Sequence, residues 1–244
     1  MKKKFVRLIS AVLSAAMTLT AVPLSAFAEG EGHTHDGESN VITKPLDFRE
    51  KKADENGIGW SWVYDTKTLT LDGINIQAEA EDWYSAVISV PDGTKIVLNG
   101  ENTIVQTNTD SETGNYALLS GTVDSNGILS EGKLTISGNG TLNVTNRSRD
   151  KFSSTAVTAD KLTINGSTVK AENTVNTSTL EIHGGTLNAE ATDYSPSGIA
   201  LSVCTVTIDG EGKLTAVGKA NQTVDANAAI RFVSSTGIGT GCKL

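Results

Sequence analysis

One short phrase is written into this chain six times. It reads TLTLDGINIQA from Thr68, KIVLNGENTIVQT from Lys95 and KLTISGNGTLNVT from Lys133. It returns as KLTINGSTVKAE from Lys161, LEIHGGTLNAE from Leu180 and TVTIDGEGKLTAV from Thr205. Apolar and polar residues alternate, a glycine intervenes, and the alternation resumes. Period two means a strand with one buried face, and Thr, Val, Ile and Leu suit such a face. Aligned on the first apolar residue, the copies give Leu69, Ile96, Leu134, Leu162, Leu180 and Val206. Two residues on stand Leu71, Leu98, Ile136, Ile164, Ile182 and Ile208, and glycine follows at 73, 100, 138, 166, 184 and 210. A second short strand comes after each glycine. In the second copy Ile104 is followed by a polar Gln106, a departure from the pattern.

A third strand column precedes each copy: GWSWVYD from Gly59, SAVISV from Ser85, GILS from Gly127 and STAVTA from Ser154. TVNTS from Thr174, GIALSV from Gly198 and AAIRFV from Ala228 continue it. Sandwiches and propellers repeat at steadier spacing than these copies do. A coil with variable loops fits, because no coil buries its apolar row alone and stacked coils share one core. The expected fold is all-β: a right-handed single-stranded parallel β-helix of about six coils, three short strands per coil. At ~4.8 Å per stacked strand, its core would run about 30 Å.

The amino terminus MKKKFVRLISAVLSAAMTLTAVPLSAFA is basic, then apolar, then closes on the small-x-small Ala26-Phe27-Ala28. That pattern is a secretory signal peptide. The expected organisation is 1–28 signal peptide, 29–40 flexible acidic tail, 41–58 amino-terminal cap and 59–244 β-helix. No second long apolar run follows, so no membrane insertion is expected. The chain is expected to be secreted, and released or held at the cell surface without a covalent anchor. A net charge of −8 argues against nucleic acid, which needs clustered Lys and Arg. A monomer is expected.

Across 59–244 the chain resembles the right-handed parallel β-helices of the pectin-lyase-like superfamily, and most of all secreted bacterial proteins whose β-helices are labelled carbohydrate-binding. The opening GIGWSWVYDTKTLTLDG carries that resemblance best, being similar to the GWxWDxxTxTLTLxG first coil of such proteins. The resemblance implies polysaccharide recognition, often with bound calcium, and assigns no catalytic residue. Enzymes of this superfamily gather Asp around calcium beside an Arg or Lys, or pair carboxylates. Here His183 sits in EIHGG, Arg147, Arg149 and Arg231 lack an Asp-rich neighbour strand, and acids occur singly at turns. His183 is read as an outward turn residue.

Binding has residues to point at. The long loops before the third column carry aromatics beside acids: Trp83 and Tyr84, Tyr116, Phe152 and Tyr194. The acids include Asp82, Asp110, Asp150 and Asp193. Flat rings stack on sugars, and carboxylates hold calcium, a hard cation that takes oxygen ligands. Two readings stand. The rings form a sugar-binding ladder with calcium as cofactor, or they tuck inward and cover the core. Trp60 and Trp62 are read as a cap, with Leu46 and Phe48 turned inward and a weak helix signal in FREKKADEN. His33 and His35, with Asp36, are read as part of the flexible acidic tail, a weak zinc or copper site being the alternative.

Cys204-Thr205-Val206 opens one copy, and Cys242-Lys243-Leu244 stands where another would begin. In one column of adjacent coils the two cysteines would lie ~5 Å apart, within disulfide reach. The alternative is two independent small core residues. The functional expectation is a secreted, non-catalytic polysaccharide-binding or adhesive cell-surface protein. A purely structural rod or spacer is the alternative, and a polysaccharide lyase or glycoside hydrolase a further one.

Overall fold

The computed structural model describes residues 40–80, 84–109, 115–126, 128–148, 154–195, 198–219 and 229–232, all within the unit Ser39–Leu244. Among these residues every regular element is a strand. In the first column β4 (Thr68–Asp72), β7 (Thr94–Asn99) and β11 (Lys133–Gly138) pair in series, all parallel. The later halves of β13 (Thr155–Asn165) and β15 (Thr174–His183), then β18 (Thr205–Asp209), continue it. The second column stacks β5 (Asn75–Ala78), β8 (Glu101–Gln106), β12 (Thr141–Asn146), β14 (Thr168–Glu172), β16 (Thr186–Glu190) and β19 (Lys213–Val217), again parallel.

The third column begins with β1 (Leu46–Asp47), β6 (Ala86–Val90) and β9 (Tyr116–Val123). It proceeds through the earlier halves of β13 and β15 to β17 (Leu201–Val203) and β20 (Ile230–Phe232). Among the described strands the antiparallel pairs are β2 (Glu55–Gly57) with β3 (Trp60–Val63), β3 with β4, and β10 (Leu129–Glu131) with β9. The chain is therefore all-β, with parallel strands stacked from successive repeats. A β-helix-like solenoid requires this arrangement.

Two of the expected third-column segments lie elsewhere. Trp60–Val63 runs antiparallel to β4, because the first third-column strand is already supplied by Leu46–Asp47. GILS forms the return limb of a hairpin on β9, and the column strand at that level is YALLSG. Its residues are buried on both faces, so it shows no alternation to read.

The register also corrects the alignment of the copies. Leu134 pairs with Thr94 and Ile136 with Ile96, so the later copies slide by two residues against the first two. A two-residue slip keeps every side chain on its face. The continuous inward row is Leu69, Ile96, Ile136, Ile164, Ile182 and Ile208. The Leu71–Leu98 row ends on Gly138, whose φ of +104° and closeness to the Leu98 carbonyl leave no room for a side chain.

At the amino-terminal end Phe48 meets Trp60 edge-on at 5.2 Å and Trp62 at 5.1 Å. Phe48 and Trp62 are buried, and Leu46 packs on the same core. The Trp60 indole lies where a side chain at Gly57 would be. FREKKADEN forms a turn at Arg49–Glu50 rather than a helix.

Candidate functional site

Loops leave the stack where the second column gives way to the third, and buried amides hold that corner. Gln106 stacks between Ala78 and Asn146 in the inward row, fully buried. Its Oε1 accepts from the backbone of Ala80 and Asn108. Asn146 Nδ2 donates to the carbonyls of Asn115 at 2.7 Å and Thr155 at 2.8 Å, and its Oδ1 accepts from Ser148 N–H. One layer on, Asn173 donates to the carbonyls of Asn146 and Tyr194, and accepts from Thr174 N–H and the Ser195 hydroxyl. An amide can donate and accept at once, which lets one side chain pin the ends of two loops. Gln106 breaks the apolar pattern by accepting at Oε1 from the starts of two loops, its buried Nε2 having no partner among the described residues, and that break was the sequence signal for the corner.

The expected aromatics separate in this frame. Tyr84 sits at φ +60° just before β6, half-buried, with its carbonyl accepting from Arg49. Arg49 in turn forks onto Asp47. Tyr116 is no loop residue. It opens β9 at 6 % exposure and packs with Ala86 and Leu119 beneath Tyr84 and Leu129. A ring so covered has little face to offer a sugar; β6 and the start of β9 are buried on both sides, and Tyr84 and Tyr116 help to close the outer one there. Tyr194 is half-buried in the turn Thr192–Ser195, where its N–H donates to the Thr192 hydroxyl. Trp83 and Phe152 lie outside the described residues.

Of the expected calcium ligands, Asp82, Asp110 and Asp150 lie outside the described residues. Asp193 is exposed and ion-paired with Lys219. Among the described residues no three His, Cys, Asp or Glu side chains gather as a metal-binding group. Cys204 is half-buried at the corner between β17 and β18, its N–H bonded to the Ser178 carbonyl, and Cys242 lies outside the described residues.

Two charged constellations escaped the sequence reading, because only the register brings them together. On the outer face of the first column Lys161 pairs with Glu181 at 2.7 Å, and Glu181 lies 3.5 Å from His183. His183 Nδ1 then meets Asp209 at 2.8 Å. The hydrogen bond from Lys161 holds the Glu181 carboxyl below its ordinary value. The Asp209 carboxylate raises the His183 imidazole above its own. His183 faces outward as expected. Separately, Glu131 accepts from Asn176 Nδ2 at 3.3 Å, and burial, with Asp160 adding, pushes its carboxyl upward.

Compared with known proteins, the chain matches no family model, and no curated protein or solved structure is significantly similar to it.

Proposed function

We propose that this chain is a secreted, non-catalytic polysaccharide-binding or adhesive protein of the cell surface. In this reading its parallel strands wind as a right-handed, single-stranded β-helix of six coils, of the pectin-lyase-like kind. The observation that carries the proposal is the position of Tyr84 and Tyr194. Both stand half-buried where the chain turns into the third column: Arg49 holds the Tyr84 carbonyl in a loop whose start, at Ala80, bonds the buried Gln106, and the buried Asn173 holds the Tyr194 carbonyl. A part-exposed ring on a rigid support stacks on a sugar at low entropic cost. The basic, apolar and small-residue amino terminus supports secretion. Calcium is the cofactor proposed for the same loops, with Asp82, Asp110, Asp150 and Asp193 supplying oxygen. At Asp193 it would displace the Lys219 ammonium.

The test is depletion of the protein from solution by insoluble pectin, xylan, cellulose and mucin glycans, with calcium or with EDTA. Binding to one glycan that Tyr84→Ala or Tyr194→Ala abolishes, in protein that still unfolds cooperatively, supports the proposal. Loss with EDTA places calcium in the site. No depletion by any glycan favours the structural spacer instead. Burial of Tyr116 and the pairing of Asp193 with Lys219 favour that second reading, since both are spent on the fold.

A further inference from the structure

The third column is one strand longer than the first. β20 lies on β17, with Leu201 opposite Ile230 and Val203 opposite Phe232, whereas β18 pairs only with β15 among the described strands. At Phe232 the chain therefore stands where every earlier layer turns into the first column, and the outer edge of β18 is the place for the next first-column strand.

The register says which residues fit there. Lys133, Lys161, Thr179 and Thr205 share one level, so Gly132, Asp160, Ser178 and Cys204 share the corner before it. The corner is itself stacked: Asp160 N–H donates to the Gly132 carbonyl, and Cys204 N–H to that of Ser178. After each corner residue come Lys or Thr and then an inward Leu or Val: Lys133-Leu134, Lys161-Leu162, Thr179-Leu180, Thr205-Val206. If the chain ran straight on from Phe232, Ser235 and Gly237 would fall over Val206 and Ile208. Neither covers an apolar row. Cys242-Lys243-Leu244 repeats the pattern and lays Leu244 over Val206. Reaching it means looping out residues 233–241. The same corner already accepts such an excursion in an earlier layer, where 121–131 loop out between Ser120 and Gly132 as the β9–β10 hairpin.

We infer that Cys242-Lys243-Leu244 forms the next first-column strand on β18 and that Cys242 is disulfide-bonded to Cys204. Neighbouring parallel strands lie ~4.8 Å apart, and a disulfide spans Cα separations of about 4.4–6.8 Å. Two thiols give up two protons and two electrons. A low-molecular-weight disulfide accepts them: one cysteine thiolate attacks it to form a mixed disulfide and release one thiol. The second cysteine then displaces the other thiol and closes the Cys204–Cys242 bond.

The full chain, reduced and then equilibrated in graded mixtures of reduced and oxidised glutathione, tests this. In buffer the intramolecular pair should form with an equilibrium constant about a hundredfold above that in 8 M urea, where only chance encounter brings the thiols together. Tryptic peptides 171–213 and 232–243 should appear joined. Leu244→Asp should pull the value in buffer toward that in urea without altering the urea value. Equal constants in buffer and urea, or cysteines joined only between chains, would overturn the inference. A Leu244→Asp chain that keeps the full native excess would overturn the register.

Discussion

Asn173 donates through Nδ2 to the backbone carbonyl of Asn146 at 3.1 Å, so the corner amide of one layer is tied to that of the next. Both side chains are fully buried. In an apolar interior a polar side chain persists only where its bonds are met, and here those bonds go to the ends of surface loops.

Asn146→Ala removes the amide's bonds to the Asn115 and Thr155 carbonyls and from the Ser148 N–H. It should destabilise the protein by roughly 3 kcal/mol. Urea unfolding followed by far-ultraviolet circular dichroism measures it. A cost below about 1 kcal/mol would mean that water replaces the amide.

Gly138→Ala meets two obstacles at once. The residue sits at φ +104°, and a Cβ would stand 2.4 Å from the Leu98 carbonyl oxygen. The variant should lose about 2–4 kcal/mol. Gly73→Ala serves as the comparison, because its φ is also positive but its Cβ meets nothing within 4 Å. The difference between the two variants isolates the clash.

The chain of charges through Lys161, Glu181, His183 and Asp209 makes a pH prediction. His183 titrates above 6.5 in the folded protein, so its contribution is full below 6.5 and fades as pH rises through the folded value. Glu181 titrates below 4.5, so its contribution is full above 4.5 and fades as pH falls through its folded value. Both act together between these limits. Proton NMR should show the His183 imidazole titrating high in the native chain and returning toward 6.5 in Asp209→Asn. High salt should weaken the effect, since these groups face solvent.

Tyr116→Ala and Tyr84→Ala should part company. Removing the buried Tyr116 ring uncovers Ala86 and Leu119 and should cost about 3–4 kcal/mol. Tyr84 is only half-buried, and its loss should cost about 1 kcal/mol. Paired denaturation curves decide, and equal costs would show that both rings serve the core.

The repeat was legible because it is local: alternation and glycine can be read from neighbouring residues, and they determined the strands, their inward faces and the parallel stacking. Phe48 and Leu46 were legible as inward-facing for a similar reason, since large apolar side chains beside the first repeat need cover. Register was not. A slip of two residues leaves each strand's pattern unchanged, so the register shows only in the structure, where Gly138 lies against the Leu98 carbonyl. Nor was the strand at Tyr116, whose doubly buried face erases the alternation, or the Lys161–Asp209 chain, whose members lie far apart in sequence and meet only because coils stack. The sequence determined what each segment must bury, since that depends on its own side chains. The tertiary structure decided which residues face each other across layers, because that depends on turn lengths and backbone clashes between segments.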